Sequence, residues 1–154
     1  MKLTRLPTVA LLLAAPLALG GCAALNEATM RALATPAPAL AVVGDRVLAG
    51  EALLYTDRSA TLQLGSVTTP ALSCMGAMRY TSSTGGTVQL SCSDGTQARL
   101  PFTALTETSG HGSSRAGSLS VSFTYGLEPE PARAWLIAPA GKRLSVSGSE
   151  LRVD

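Results

Sequence analysis

Hydrophobic and polar residues alternate in short runs through most of the chain after Gly44, and clusters of Gly, Ser, Thr, Asp and Pro separate the runs. In the clearest run, Ser118–Tyr125, Leu, Val, Phe and Tyr occupy every second position and Ser or Thr the positions between. Because side chains alternate between the two faces of a strand, this run predicts a strand with one apolar and one wet face. Six strands are predicted before residue 126: Val47–Tyr55, Ala60–Leu64, Leu72–Tyr80, Thr87–Ser93, Gln97–Ala104 and Ser118–Tyr125.

The pattern changes after Gly126. Residues 128–131 read Glu-Pro-Glu-Pro and precede an Ala- and Leu-containing stretch, and prolines with carboxylates are favoured in the first turn of a helix. We predict one short helical stretch near 131–137, with a further strand as the alternative, and one or two closing strands at 143–146 and 151–153. The fold class is therefore mainly β, an antiparallel meander that forms a small barrel or a curved sheet.

The N-terminus has the layout of an export signal. Lys2 and Arg5 precede the apolar stretch Val9–Leu19, which is shorter than the roughly 20 residues that a membrane-spanning helix needs. Residues 19–22 read Leu-Gly-Gly-Cys, which resembles the lipobox of bacterial lipoproteins. The resemblance implies cleavage after Gly21 and acylation of Cys22, and Ala23 after the cysteine implies sorting to the outer membrane of a cell with two membranes. An ordinary cleaved signal, or an uncleaved anchor, is the alternative.

These features divide the chain into a signal peptide (1–21), a lipid-anchored tether (22–42) and a β domain (43–154). Pro36 and Pro38 stiffen the end of the tether into an extended spacer. The implied location is the cell envelope, with the protein held at the outer membrane and facing the periplasm. Two or more acyl chains make release from a membrane negligible.

Charge excludes some classes of partner. The chain has 12 basic and 10 acidic residues, and because Lys2 and Arg5 lie in the signal peptide, the mature chain is formally neutral. No basic patch predicts nucleic-acid binding. The expected partners are the membrane, through the acylated Cys22, and an envelope protein.

Two of the three cysteines, Cys74 and Cys92, are left after Cys22, and an exported chain with such a pair favours a disulfide. A hairpin centred on Ser83 would place Cys74 opposite Cys92, Gly76 opposite Leu90 and Met78 opposite Val88. This register puts the apolar residues of both strands on one face. Two reduced, packed cysteines are the alternative.

Candidate chemistry is sparse. His111 is the only histidine, and a Ser-His-Asp arrangement with Asp94 has no nucleophile elbow to support it. One histidine and two oxidised cysteines cannot form a zinc site, and no motif predicts a cofactor. We therefore predict no catalytic, metal or cofactor site, and a non-enzymatic protein. A binding loop is predicted at 106–117, with four candidate residues: Gly110, His111, Gly112 and Arg115. Trp135, if exposed beside Arg133 and this loop, would mark a protein-binding site.

Four short motifs resemble a loose pattern in small β-rich exported domains of proteobacteria: Cys74-x-Gly76, Leu90-x-Cys92-x-Asp94-Gly95, Gly110-x-Gly112 and Phe123-x-Tyr125-Gly126. The resemblance implies the β fold and the disulfide, but no catalytic residue. The leading functional hypothesis is a membrane-anchored lipoprotein with a non-enzymatic binding or structural role in the envelope. The alternative is a periplasmic inhibitor of a wall-lytic enzyme or protease that acts through 106–117. A hydrolase that uses His111 is a third hypothesis.

Overall fold

The structure is a computed structural model that describes residues 29, 30, 32–66, 68 and 70–154. The predicted signal peptide and, within the predicted tether, residues 22–28 and 31, including Cys22, lie outside the described residues. Those described before Ala34 form one helical turn, in which the amide of Leu33 donates to the carbonyl of Thr29 at 3.2 Å.

Eight antiparallel strands form a closed barrel in chain order, and β1 pairs with β8 to complete it. The strands are β1 (Thr35–Val43), β2 (Arg46–Leu54), β3 (Ser59–Ser66), β4 (Ser73–Ser82), β5 (Gly85–Cys92), β6 (Gln97–Ala104), β7 (Gly110–Ala116) and β8 (Leu119–Tyr125). A short helix, α1 (Pro129–Arg133), and a hairpin, β9 (Leu144–Ser147) and β10 (Glu150–Val153), follow the barrel. The predicted mainly β meander with one short helix is confirmed.

Apolar side chains fill the inside of the barrel. Alternate residues of the strands point inward and form one cluster, in which Leu48, Leu62, Leu100, Val121 and Phe123 are each at most 2% exposed. An eight-stranded barrel is just wide enough for side chains to fill its interior. The period-2 pattern of the sequence is therefore the cause of the architecture, because it supplies one inward apolar residue for every outward polar one.

The predicted boundary between tether and domain is too late in the chain, since residues 35–42 form most of β1. Pro36 and Pro38 suggested a spacer because proline stiffens an extended chain. Proline also lacks the amide that a paired strand needs. β1 meets β8 only from Ala39 onward, and the carbonyl of Pro38 accepts the amide of Gly126 at 2.7 Å on that side. The backbone groups of residues 36 and 38 therefore point toward the β8 side of β1, at positions before the first paired residue, Ala39. Their missing amides break no strand pairing.

The predicted wet face of β8 is wrong, because the C-terminal segment covers it. Ser122 and Thr124 are fully buried, and the amide of Ile137 donates to the Ser122 hydroxyl at 2.9 Å. A second apolar cluster attaches this segment to the outer wall of the barrel. Its buried members are Leu40 and Val42 from β1, Ala132 from α1, and Leu136 and Leu151.

The helix is confirmed but shifted, since it begins at Pro129 and ends at Arg133 rather than near 137. Pro129 and Glu130 occupy the first turn, as the preference of helix N-termini predicts. The chain turns at Ala134, and Leu136 then packs into the second cluster. This packing ends the helix before Pro139.

Candidate functional site

The most exposed aromatic feature on the barrel wall is a pair of stacked rings, His111 and Trp135. His111 points outward from β7 and lies opposite Thr124 of β8. Its imidazole stacks on the indole of Trp135, with ring centroids 4.0 Å apart and ring planes inclined by 20°. Trp135 remains 42% exposed. The structure therefore brings together two residues that are 24 positions apart in the chain, and we call them the His111–Trp135 pair.

Packing of the C-terminal segment sets the position of Trp135. The amide of Trp135 donates to the carbonyl of Ala132 at 2.9 Å, and Ala132 is fully buried in the second cluster. On the other side, Leu136 is buried and the Ile137 amide is bonded to Ser122. Contacts on both sides thus fix the backbone from which the indole projects, so the ring is held in place before any partner arrives.

Residues 110–116 form strand β7, so the prediction of a binding loop at 106–117 is wrong for most of its length. Gly110 and Gly112 face the barrel interior, where a Cβ on Gly112 would lie 2.6 Å from Cε1 of Phe123 and one on Gly110 would lie 2.7 Å from the Tyr125 hydroxyl. The two glycines therefore make room for the rings of the neighbouring strand. Arg115 is exposed on the outer face, about 13 Å along the strand from His111 at 3.3 Å per residue.

The electrostatics of the pair are those of a neutral surface. Burial against the wall lowers the pKa of His111, which favours the uncharged imidazole. Two positions before Trp135 in the chain, Arg133 is paired with Glu130 at 2.8 Å, and both side chains are largely exposed. An exposed, fixed aromatic ring is the kind of residue that dominates protein-binding hot spots.

The catalytic arrangement considered for His111 is not assembled. Asp94 lies in the β5–β6 turn, where its carboxylate accepts the amide of Thr96 at 2.9 Å. His111 pairs with Thr103 at the other end of β6, about 20 Å away along the strand. Among the described residues no hydroxyl or carboxylate is hydrogen-bonded to the imidazole.

The predicted disulfide is present between Cys74 and Cys92, and the predicted register of the β4–β5 hairpin is confirmed. Cys74 pairs with Cys92, Gly76 with Leu90 and Met78 with Val88. The Cα atoms of the two cysteines are 4.0 Å apart, and Cys74 is buried in the core. Its place inside the barrel makes it a structural crosslink rather than an accessible redox centre.

A second site lies at one end of the barrel, where the loops β2–β3, β4–β5 and β6–β7 meet around a cavity of about 620 Å³. We call it the mouth cavity, and the residues that matter most in its wall are Leu54, Arg58, Tyr80, Ser83, Leu105 and Glu107. Sequence reasoning did not find it. The signal was available in the predicted meander, because every second hairpin loop of a meander lies at the same end of the sheet.

Tyr80 in the wall of the mouth cavity belongs to an aromatic cluster that continues into the barrel core. The hydroxyls of Tyr80 and Tyr125 are 2.7 Å apart, and the ring of Phe102 meets that of Tyr80 edge to face with centroids 4.8 Å apart. Burial raises the pKa of Tyr125 well above its ordinary value, so this hydroxyl stays protonated at physiological pH. Phe102 and Tyr125 are buried, so side chains fill the barrel interior next to Tyr80.

Arg58 stands at the rim of the mouth cavity. One guanidinium nitrogen donates to the carbonyl of Ser82 at 2.5 Å, and the guanidinium carbon lies 5.5 Å from the centre of the Tyr80 ring. The neighbouring carboxylate of Asp57 accepts from the hydroxyl and the amide of Ser59, and the hydroxyl bond is the main reason why its pKa is lowered. Neither this carboxylate nor any other in the described part of the chain forms an ion pair with Arg58.

Comparison with family models, with curated proteins and with solved structures finds no match to this chain. Within the described residues, no cluster of three or more His, Cys, Asp or Glu side chains could hold a metal ion. No helix in that part of the chain has the length and apolar character to cross a membrane. The class that the structure defines is a closed eight-stranded antiparallel barrel with a disulfide and a covering C-terminal segment.

Proposed function

We propose that the protein is a bacterial lipoprotein, anchored through Cys22, whose barrel binds an envelope protein at the His111–Trp135 pair without catalysing a reaction. The lipobox resemblance of residues 19–22 supports the anchor. Anchoring confines the barrel to the neighbourhood of one membrane, which raises the effective concentration of envelope partners. The expected site of action is the periplasmic face of the outer membrane.

The observation that carries the binding role is the exposure of Trp135 on a fixed backbone. Tryptophan is among the residues most enriched in binding hot spots, and a ring that is already ordered loses little entropy on binding. Trp135 is 42% exposed although its neighbours Ala132 and Leu136 are buried in the second cluster. If the ring served only to pack the core, it would be buried together with these two neighbours.

The anchor is tested by the mass of the mature protein purified from envelopes. Cleavage before Cys22 with a mass increase equal to two or three acyl chains supports the proposal. A Cys22→Ala chain should stay unprocessed or leave the membrane fraction. A mature protein with a free Cys22 thiol, or with the leader still attached, would remove the anchor from the proposal.

The binding role is tested by crosslinking in intact cells, followed by reconstitution with the purified partner. Trp135→Ala should abolish a specific crosslink to an envelope protein and weaken binding of the purified partner. Met75→Ala is the matched control, because Met75 is 57% exposed on β4, away from the pair. The proposal fails if both variants retain the crosslink, or if both lose it.

The inhibitor alternative now depends on the part of 106–117 that is a loop. The amides of Leu105 and Thr106 both donate to the carbonyl of Ser109, at 2.8 and 3.1 Å, and this tight turn presents a 42% exposed Leu105. A rigid turn with an exposed apolar tip is a shape that inserts into an enzyme cleft. Replacing residues 105–108 with a two-residue Asn-Gly turn should then relieve inhibition of a wall-lytic enzyme or protease, and unchanged lytic activity would exclude the alternative.

A further inference from the structure

The mouth cavity has the size and the wall of a small-ligand site. Its volume of about 620 Å³ lies within the range of roughly 300–1,000 Å³ that ligand sites usually occupy. Leu54, Leu105 and the ring of Tyr80 give it apolar surface, and the hydroxyl of Ser83 adds a polar group on the wall. Tyr80 is hydrogen-bonded to the buried Tyr125, so side chains already fill the barrel interior next to this wall.

Two opposite charges face this space without neutralising each other. Arg58 and Glu107 both line the cavity, on the β2–β3 and β6–β7 loops, and no ion pair joins them. Arg58 has five N–H donors, and only one bond, to the Ser82 carbonyl, is formed by its guanidinium within the described residues. Donors therefore remain for a carboxylate or a phosphate, while the carboxylate of Glu107 can accept an ammonium group.

The backbone of Arg58 adds a further constraint. Its φ angle is 64°, the only positive φ at a non-glycine residue among those described. Glycine is the residue that adopts this conformation without steric cost, and in this turn the residue is an arginine. The position supplies a cation to the rim at some cost in backbone strain.

We propose that the mouth cavity binds a small zwitterion, with its anionic group on Arg58, its ammonium group on Glu107 and an apolar portion against Leu54 and Leu105. A free amino acid and a phosphoethanolamine headgroup share this chemistry. A purely anionic ligand would meet the carboxylate of Glu107 unpaired, and a purely cationic one would meet Arg58. The inference is independent of the acylation of Cys22 and of the His111–Trp135 pair.

Nuclear magnetic resonance titration of the full mature chain tests the proposal, with the amides of Ser83 and Glu107 as reporters. L-leucine and O-phosphoethanolamine are the zwitterionic probes, and the tighter of the two identifies the source of the ligand. L-leucinamide lacks the anion, N-acetyl-L-leucine lacks the cation, and glycerol 3-phosphate lacks the amine of the headgroup probe. We expect each analogue that lacks one of the two charged groups to bind about tenfold more weakly than its parent, as the loss of one charged hydrogen bond implies.

Two variants locate the charges. Arg58→Gly suits the positive φ and should fold, and Glu107→Gln keeps the size of an exposed side chain. Each should weaken the zwitterion about tenfold while Arg99→Gln, on the outer face of β6, changes nothing. Thermal unfolding confirms that each variant is folded. The proposal is overturned if neither zwitterion binds saturably, if an analogue that lacks one charged group binds as tightly as its parent, or if both variants bind like the unchanged chain.

Discussion

The imidazole of His111 and the indole of Trp135 lie face to face, with centroids 4.0 Å apart, and so join β7 to the segment that follows α1. One residue belongs to the barrel wall and the other to the segment that covers it. Because burial lowers the pKa of His111, the stack favours the neutral imidazole. The geometry of the contact and the protonation state of its imidazole can therefore both be measured.

The first prediction concerns the titration of His111. Desolvation disfavours the charged ring, so its pKa in the folded chain should lie below the ordinary value of about 6.5. Because the unfolded chain binds the proton more readily, the stabilising effect of the neutral ring is complete above about pH 6.5 and is lost as the pH falls through the lowered pKa. The chain has one histidine, so the ring-proton resonance is unambiguous in a pH titration.

A variant separates the stack from other causes of that shift. In Trp135→Ala the imidazole gains contact with water, and its pKa should rise toward 6.5. Met75→Ala, on a different strand, should leave the titration unchanged. If the pKa of His111 stays low in Trp135→Ala, the indole is not the group that desolvates it.

The second prediction concerns the glycines of β7. A Cβ on Gly112 would lie 2.4 Å from the carbonyl oxygen of Pro101 and 2.6 Å from the ring of Phe123, and backbone cannot move aside cheaply. Gly112→Ala should lower the free energy of unfolding by about 1–3 kcal/mol, as other overpacked cores do. Gly65→Ala is the control, because a Cβ there meets nothing within 4 Å and alanine should stabilise β3 by about 0.5 kcal/mol. Equal effects in urea denaturation would contradict the close packing of Phe123 on β7.

These glycines also show why β7 could not be read from the sequence. Its inward positions hold Gly110 and Gly112 instead of large apolar residues, so the alternating signal is missing. The rings of Phe123 and Tyr125 on β8 fill the space that those positions leave. The strand is thus specified by its neighbour, a tertiary effect that a local pattern cannot carry.

The parts that were predictable rest on local rules. The register of β4 and β5 followed from a turn position and two cysteines, because a hairpin has few ways to align its strands. The prediction of a wet face on β8 was wrong because the sequence does not show which segment will cover that face. That Arg58 and Glu107 line one cavity was equally unpredictable, because their loops come together only after three separate hairpins have formed.

The third prediction concerns the Cys74–Cys92 disulfide. It closes a loop between residues 18 positions apart, which should contribute about 3 kcal/mol in the chain-entropy model. A dithiothreitol-treated chain should therefore unfold at lower urea concentration than the oxidised one. A chain with both cysteines changed to alanine should lose its response to the reductant, whereas Cys22→Ala should keep it. An unchanged midpoint on verified reduction would contradict the stabilising role.

The last prediction uses two neighbouring hydroxyls on the covered face of β8. Ser122 and Thr124 are both fully buried; the hydroxyl of Ser122 accepts the amide of Ile137 at 2.9 Å, while that of Thr124 has no hydrogen-bond partner among the described residues. Thr124→Val replaces an unpaired buried hydroxyl with a methyl group of similar shape, and should raise the free energy of unfolding by about 1 kcal/mol.

Ser122→Ala should do the opposite, lowering the free energy of unfolding by about 1 kcal/mol, because it removes the partner of the partly buried amide of Ile137. The two variants should change the free energy of unfolding in opposite directions, although each removes one hydroxyl from the same strand. Urea denaturation therefore distinguishes the bonded hydroxyl from the unbonded one. Destabilisation by Thr124→Val would mean that its hydroxyl has a partner in solution, such as a trapped water. Because Thr124 lies opposite His111, that water would also hydrate the inner side of the His111–Trp135 pair.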